Sequence, residues 1–485
     1  MRIDHSNCLY DQVADRVSQM IKKGALKPGE RIPSIRRMSD QMSVAISTVL
    51  HAYQILEDRG LIEARPQSGY FVRPKHAQRV ADTQAPMEPE MLRLPLKASK
   101  AKVEDNEFLR THAIGKQASI ALGMAIPSPE FLPTDAINKH LTRACRYEPE
   151  AASQYELAPG LKELRVRVAQ RAMDCGCSFG PDDVVITTGA TEAIALALRA
   201  VTEPGDTVAV ESPCYFGFLN LINMLSLKVV EVSTDPRDGI SVRDLERLLH
   251  HKTVDVKAIL LNPNVHNPLG CIMPEEKKRR IAKLMHQARV PVIEDDTYGD
   301  LSFDTPRPSC IKSYDESGGV ILCSSFSKTL APGFRIGWIA AGRWNSRVNA
   351  LKCTWSLGTA TPTQMAIASY LENGGFDANL RRLRKMYREQ IMLLSDAVRR
   401  SFPDETRATN PRGGHLLWVE LPESIDPDAL HQKLTARRVK LLSGSMFSAG
   451  GHYKNCLRLN AAVPWNPRVE KAIALIGQLA EESRR

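Results

Sequence analysis

"SSFSKTLAPGFRIGW", residues 324–338, decides how this chain is read. Lys328 stands among small hydroxyl residues, and Arg335 follows beyond a Pro-Gly pair. Lysines that form Schiff bases sit in such settings, although a lone lysine is more often a solvated surface residue. The run just before it, "GVILCSS", is short, apolar and β-branched, as a buried strand would be. Similar runs recur outward in both directions: "DVVIT", "TVAVES", "KVVEVS", "AILLN", "VPVIEDD" and "IGWIAAG". Helical patterns such as "ATEAIALALRAV" and "PEEKKRRIAKLMHQA" separate several of them. This alternation predicts an α/β fold with a mostly parallel sheet covered on both faces, beginning near residue 118. From about residue 360 to 485, long amphipathic helices mix with strands such as "HLLWVEL" and "CLRLNAA", which predicts a smaller α+β subdomain.

The residues around Lys328 form a chemical set. A lysine amine can condense with an aldehyde cofactor such as pyridoxal 5'-phosphate. Such a cofactor needs an anion cradle, a carboxylate for its ring nitrogen, a donor for its phenolic oxygen and a flat group against its ring. "ITTGATEAI" passes from strand to helix at Gly189, Ala190 and Thr191, where backbone N–H groups make an anion site. Asp295, at the end of "VPVIEDD", suits the ring nitrogen. Tyr298 and Asn267 (in "HNPLG") are donors for the phenolic oxygen, and Tyr215 (in "ESPCYFG") is a stacking ring. Ser325 and Arg335 complete the phosphate cradle. Each element alone is weak, since GAT before a helix is common and a buried aspartate is often structural. Their joint occurrence in this order carries the reading. The "EEKKRR" run at 275–280 reads as a solvated helix face, and Trp338 and Trp418 read as packing residues.

The N-terminus differs. Residues 1–75 hold 12 Lys/Arg against 8 Asp/Glu, the densest positive charge in a chain of net charge +10. "LYDQVADRVSQMIKKGAL" places Leu9, Val13, Val17, Met20 and Ile21 on one helical face. "SIRRMSDQM" predicts a second helix capped by Ser34, and "AISTVLHAYQILEDRG" a third ending at Gly60. "LIEARPQSGYFV" reads as a hairpin. Three helices and a hairpin describe a winged helix-turn-helix, whose third helix enters the major groove of double-stranded DNA. Arg36, Ser47, Thr48 and His51 are suited to phosphates and base edges there; Arg65, Gln67, Ser68 and Gly69 form the wing tip. Residues 76–117, broken by Pro86, Pro89 and Pro95, read as a linker with a short helix near "EDNEFLRTHA".

At 485 residues, at least two domains are expected. Hydrophobic residues are 43% and charged residues 25%, an ordinary globular composition. The ten cysteines include no CxxC pair and no His/Cys cluster with zinc spacing, so reduced thiols in a cytoplasmic protein, and no metal ligands, are expected. No signal peptide and no membrane partner are expected.

"LKPGERIPSIRRMSDQMSVAISTVLHAYQILEDRGLIEARPQSGYFV" resembles the DNA-binding domain of GntR-type bacterial regulators. That family binds DNA through positions matching Arg36, Ser47, Thr48 and the wing around Gln67 to Gly69, and often has an arginine where this chain has Ile46. The motifs from about residue 118 to 480 resemble fold-type I aminotransferases. This resemblance implies pyridoxal phosphate on Lys328, with Tyr155 of "QYELAPGLKELR" reaching the partner subunit's phosphate and Arg458 of "CLRLNAA" gripping a substrate α-carboxylate. The order of the two halves resembles the MocR subfamily of GntR regulators, which implies a homodimer, often head-to-tail. It also implies a regulator whose aminotransferase-like domain (118–485) senses an amino compound, or the cofactor alone, and controls the operator binding of residues 1–75. The alternative is a pyridoxal-phosphate-dependent aminotransferase acting on an α-amino acid, with an accessory DNA-binding domain. Half-transamination is compatible with either.

Overall fold

The computed structural model describes residues 9–22, 26–27, 29–58, 61–65, 69–72, 87–101 and 120–484. The chain divides into two compact units, Met1–Gln84 and Ala85–Arg485. In the smaller unit, α1 (Leu9–Lys22), α2 (Ile35–Met42) and α3 (Ile46–Asp58) precede a hairpin of β1 (Ile62–Arg65) and β2 (Gly69–Val72). Val13, Ala14 and Val17 of α1 recur at helical spacing and meet Met38, Val49, Ala52, Tyr53 and Leu56 in one core, closed by Ile62 and Val72. Ser34 caps α2 by accepting from the Arg37 N–H at 3.3 Å. The hairpin pairs Ile62 with Val72 and Arg65 with Gly69, and Arg31 bridges Phe71 along its other edge. The Tyr53 hydroxyl ties α3 to the turn before α2 by donating to the Pro33 carbonyl at 2.7 Å.

In the larger unit, an eight-stranded sheet forms from β4 (Val184–Thr187), β5 (Thr207–Ser212), β6 (Lys228–Asp235), β7 (Gly239–Ile240), β8 (Val256–Leu261), β9 (Val292–Asp295), β10 (Val320–Ser325) and β11 (Gly337–Ala340). Its order is β4-β11-β10-β9-β8-β5-β6-β7. The five strands β10, β9, β8, β5 and β6 are parallel neighbours; β11 is antiparallel to both of its neighbours, and β7 to β6. Every residue of β4, β5, β9 and β10 is buried, as expected for strands covered on both faces. A short parallel pair joins β3 (Ile120–Ala121) to β14 (Val439–Lys440), and a second, antiparallel sheet of β12 (Arg407–Ala408), β13 (Leu416–Glu420), β15 (Leu442–Ser443) and β16 (Cys456–Asn460) packs with the helices Gly375–Ser401 and Pro467–Glu482. Because β4, β5, β8, β9 and β10 run the same way, the loops at their carboxyl ends gather on one edge of the sheet, where open α/β folds bind ligands.

Two stretches differ from the sequence expectation. Within the predicted linker, residues 87–101 lie along the larger unit: Ser99 bridges Val229, the Leu94 N–H donates to Ser233 Oγ at 3.1 Å, and Ala101 is buried. The short helix expected near 104–113 lies outside the described residues. The 275–280 run is only partly a solvated face, because Lys278 is fully buried and its amine donates to Glu275 Oε1 at 3.1 Å. The helix Glu275–Ala288 buries Lys278 together with Ile281, Ala282 and Met285, so the lysine stem falls on the packed side of the helix.

Candidate functional site

The loops at the carboxyl edge of the large sheet enclose a cavity of about 210 Å³. Ala190, Thr191, Tyr215, Asn267, Asp295, Tyr298, Ser325, Lys328, Arg335 and Arg458 all line it. Residues far apart in sequence meet here because most of them end or follow strands of one sheet, while Arg335 precedes β11 and Arg458 comes from β16 of the second sheet. β4 leads to the helix Gly189–Val201, β5 to Tyr215, β8 to Asn267, β9 to Asp295, and β10 to Ser325 and Lys328.

The helix Gly189–Val201 presents Ala190 and Thr191 to the cavity from its first turn, where backbone N–H groups lack helical partners. Gly189 has φ +76°, and a Cβ there would lie 2.4 Å from Arg335 Nη2, so glycine lets the guanidinium settle against the helix start. Arg335 also donates to Ser327 Oγ at 3.4 Å and to the Thr188 carbonyl at 3.3 Å. Gly217 acts likewise at the other wall, where a side chain would collide with the Tyr215 ring at 2.3 Å.

Lys328 Nζ donates to the Ala125 carbonyl at 2.7 Å and lies 5.8 Å from the Tyr298 ring centroid. Burial, followed by repulsion from Arg458 and Arg335, lowers its pKa to about 8. Asp295 is raised to about 6, chiefly by burial. Its Oδ1 accepts from the Thr297 N–H at 3.0 Å and the Thr297 hydroxyl at 2.6 Å. The Tyr298 hydroxyl is buried without a hydrogen-bond partner among the described residues. Asn262 fixes two walls at once: its Nδ2 donates to the Asp295 carbonyl at 2.8 Å, and its Oδ1 accepts from the Asn267 N–H at 2.6 Å.

Arg458 is fully buried. It donates from Nη1 to Asn267 Oδ1 at 2.9 Å and from Nη2 to the Gly123 carbonyl at 2.8 Å, and it lies 4.8 Å from the Phe447 ring centroid. Burial lowers its pKa to about 10. Lys328, Arg335 and Arg458 thus face one cavity with a single carboxylate, Asp295, on its lining, and none of the three forms an ion pair among the described residues. Such a site favours a ligand carrying more than one negative charge.

Tyr155 stands apart. It is 83% exposed and borders a different surface depression, with His140, Arg143, Arg167 and Thr361. Several contributors escaped the sequence reading. Ser327 joins Ser325 on the lining, the Met124–Ile126 segment supplies the carbonyl that holds Lys328, and His415 sits behind Tyr298 at 5.6 Å between ring centroids. Burial and the nearby Lys328 hold the His415 imidazole down to about 3, so it is neutral. Ser327 belongs to the quoted hydroxyl run and could have been found there; the other two carry no local signal. Trp418 is buried against Phe447, as a packing residue would be.

In the smaller unit, Arg36, Ser47 and His51 are exposed and Thr48 is half-buried. Ser47 and His51 share one face of α3, and the His51 ring meets Tyr10 edge-on at 4.4 Å. Gly69 has φ +97°, and a Cβ there would lie 3.2 Å from the Arg31 guanidinium, which adds a cation at the wing that the sequence reading did not single out. Arg65 ends β1, whereas Gln67 and Ser68 lie outside the described residues.

Two protein families account for these halves. Residues 123–476 match Aminotransferase class I and II, and residues 9–72 match Bacterial regulatory proteins, gntR family. The chain is 38% identical over 469 residues to the uncharacterized HTH-type transcriptional regulator YjiR of Escherichia coli, covering 97% of this chain and 98% of that one. Among solved structures, the kynurenine aminotransferase of Pyrococcus horikoshii superposes with a TM-score of 0.73 at 27% identity, over 78% of this chain and 94% of that one. The α-aminoadipate aminotransferase LysN of Thermus thermophilus, complexed with N-(5'-phosphopyridoxyl)-L-leucine, superposes with a TM-score of 0.71 at 28% identity, over 78% and 94%.

Proposed function

Because the chain belongs to the class I and II aminotransferases and carries a gntR-family regulatory domain, we propose that it is a DNA-binding transcriptional regulator whose aminotransferase-like domain binds pyridoxal 5'-phosphate and an α-amino acid. The observation that carries this reading is the convergence of Lys328, Arg335 and Arg458 on one cavity. The residues fit the cofactor. Ala190, Thr191, Ser325, Ser327 and Arg335 would hold its phosphate, and Asp295 its ring nitrogen. Tyr298, whose buried hydroxyl has no partner among the described residues, and Asn267 would hold its phenolic oxygen, and Tyr215 its ring face. When bound, the cofactor supplies an aldehyde that condenses with primary amines and a ring that withdraws electrons.

The protein's own groups then have definable tasks. Lys328, with its pKa lowered to about 8, is about one-tenth unprotonated at pH 7 and can exchange places with a ligand amine. Arg458 binds the ligand carboxylate; its contact with Asn267 Oδ1 fixes the Asn267 carboxamide so that the side-chain Nδ2 would be the atom turned to the cofactor. In the smaller unit, Arg36, Ser47, Thr48 and His51 contact the operator with the wing residues Arg65, Gln67, Ser68 and Gly69. A homodimer, arranged head-to-tail, is part of the reading. The exposed Tyr155, Leu157 and Leu357 cluster, joined by the Leu157–Gly358 bridge, supports a covered face there, and Tyr155 would reach the partner's phosphate site.

A second reading is an aminotransferase with an accessory DNA-binding domain, favoured by Lys328, Asp295 and Arg458 lining the same pocket. One experiment separates the two. Cofactor-loaded protein is mixed with a panel of amino and keto acids, and operator affinity and keto-acid turnover are measured together. The regulator reading expects a ligand-dependent change in affinity with at most a single half-transamination. Sustained turnover of about 1 s⁻¹ or more without any change in DNA affinity would transfer the argument to the enzyme.

A further inference from the structure

Away from the pocket, three cysteines converge. The turn after the helix Lys162–Ala172 carries Cys175 and Cys177, and Cys310 arrives from the segment that follows Arg307. Their sulfurs all lie within 4.8 Å of one another, and those of Cys175 and Cys177 are 3.7 Å apart. The backbone fixes this meeting: the Cys310 N–H donates to the Cys175 carbonyl at 3.0 Å, and the Cys177 N–H to the Ala172 carbonyl at 3.0 Å. Gly176, at φ +76°, turns the chain so that both flanking sulfurs point inward.

A metal ion about 2.3 Å from each sulfur sets sulfur–sulfur spacings of about 3.8 Å in a tetrahedron and about 4.0 Å in a plane. The three sulfurs therefore need only small movements to share one ion. Leu322, Ala340, Phe179 and Trp338 pack around them, and the nearby carboxylates of Asp296 and Asp300 are paired to Arg307, so the site offers sulfur ligands that suit a soft ion. The cover is thin, because Asp174, Gly176 and Ser178 on the same turn are exposed, which gives an ion a way in. The Arg307 guanidinium is near enough to Cys175 and Cys310 to interact with both, but it is also paired to Asp296 and Asp300, so the bound ion itself offsets most of the negative charge of the three thiolates.

We propose that Cys175, Cys177 and Cys310 form a binding site for a thiophilic d10 metal ion, held by three sulfurs. Binding replaces three thiol protons, which leave to solvent, and no electrons move. The ion's source is either Zn(II) or Cu(I), and both are tested. Full-length protein, reduced and stripped with chelator, receives two equivalents of Zn(II) or of Cu(I) in separate anaerobic arms, is desalted, and is weighed by native mass spectrometry. A background variant lacking the thiols outside the cluster that are exposed (Cys145→Ser, Cys353→Ser) and also Cys8→Ser should retain about one ion per chain. Adding Cys177→Ala and Cys310→Ala to that background should abolish retention. Should the added substitutions impair folding, Cd(II) added to the background variant gives a sulfur-to-metal charge-transfer band whose intensity counts the thiolates, and three are expected. No retained ion in either arm, retention unchanged by the cluster substitutions, or a band from fewer than three thiolates overturns the proposal.

Discussion

Replacing Arg458 with methionine tests the ligand reading most directly, because the side chain is fully buried and forms no ion pair with a carboxylate among the described residues. Its pKa of about 10, against an ordinary 12.5, means that the fold disfavours the charge by about 3 kcal/mol. Methionine removes that penalty, but it strips hydrogen bonds from Asn267 Oδ1 and the Gly123 carbonyl, at about 1–3 kcal/mol each. The two effects nearly cancel, so the ligand-free protein should melt within a few degrees of wild type. Ligand binding should not cancel. A buried, bidentate contact between guanidinium and carboxylate is worth about 2–4 kcal/mol, or about 30- to 1000-fold in affinity. The assay is a spectral titration of cofactor-loaded protein with an α-amino acid and with the amine that lacks its carboxylate. Wild type should prefer the amino acid by that factor, and Arg458→Met should bind both like the amine. Equal binding of acid and amine by wild type, or equal loss of both in the variant, would refute the assignment.

Borohydride reduction of cofactor-loaded protein should fix the cofactor on the peptide containing Lys328, and label on another lysine would remove that residue from its role. The rate of arylation of Lys328 by an amine-selective reagent, read by peptide mass spectrometry, should climb about tenfold between pH 7 and pH 9 and level off, following a pKa of about 8. Since the folded pKa lies below the unfolded value near 10.5, the cost of burying this charge is fully present below about pH 8. Ligand-free stability should therefore gain from this group as pH rises from 8 toward 10.5; a rate still rising at pH 10 would show an unperturbed amine. Arg36→Ala should weaken operator binding roughly equally across sequences and reduce the salt slope by about one, with cofactor binding intact; an unchanged slope would show that Arg36 touches no phosphate.

What the sequence displayed depended on whether the signal was local. Strands such as Val320–Ser325 announced themselves through continuous apolar runs, because a strand buried on both faces must be apolar at every position. Asp295, Lys328 and Gly189 were legible because their chemistry or backbone freedom is unusual just after such a strand. The Ala125 carbonyl, His415 and Cys310 were not, since each reaches its partner from a distant segment. Lys278 misled for a related reason: a charged run looks solvated until the packing of its helix shows which residue points inward. The wing cation Arg31 was hidden in a turn, and only its bridge to Phe71 places it beside Gly69.

The same pocket can serve enzyme or sensor, and free energy decides what a sensor requires of it. A ligand shifts a conformational equilibrium only by its differential affinity for the two states. A hundredfold change in operator affinity needs about 2.7 kcal/mol of coupling. Arg458 alone, engaging a carboxylate in one state and only Asn267 and Gly123 in the other, has about that much to offer. Lys328 adds a second distinction, because a ligand amine that takes its place on the cofactor leaves the lysine amine free to donate to the Ala125 carbonyl. Neither contribution requires turnover. The residues that would make this chain a transaminase are therefore sufficient, by magnitude, to make it a switch, and the winged helix on the same chain gives that switch something to act on.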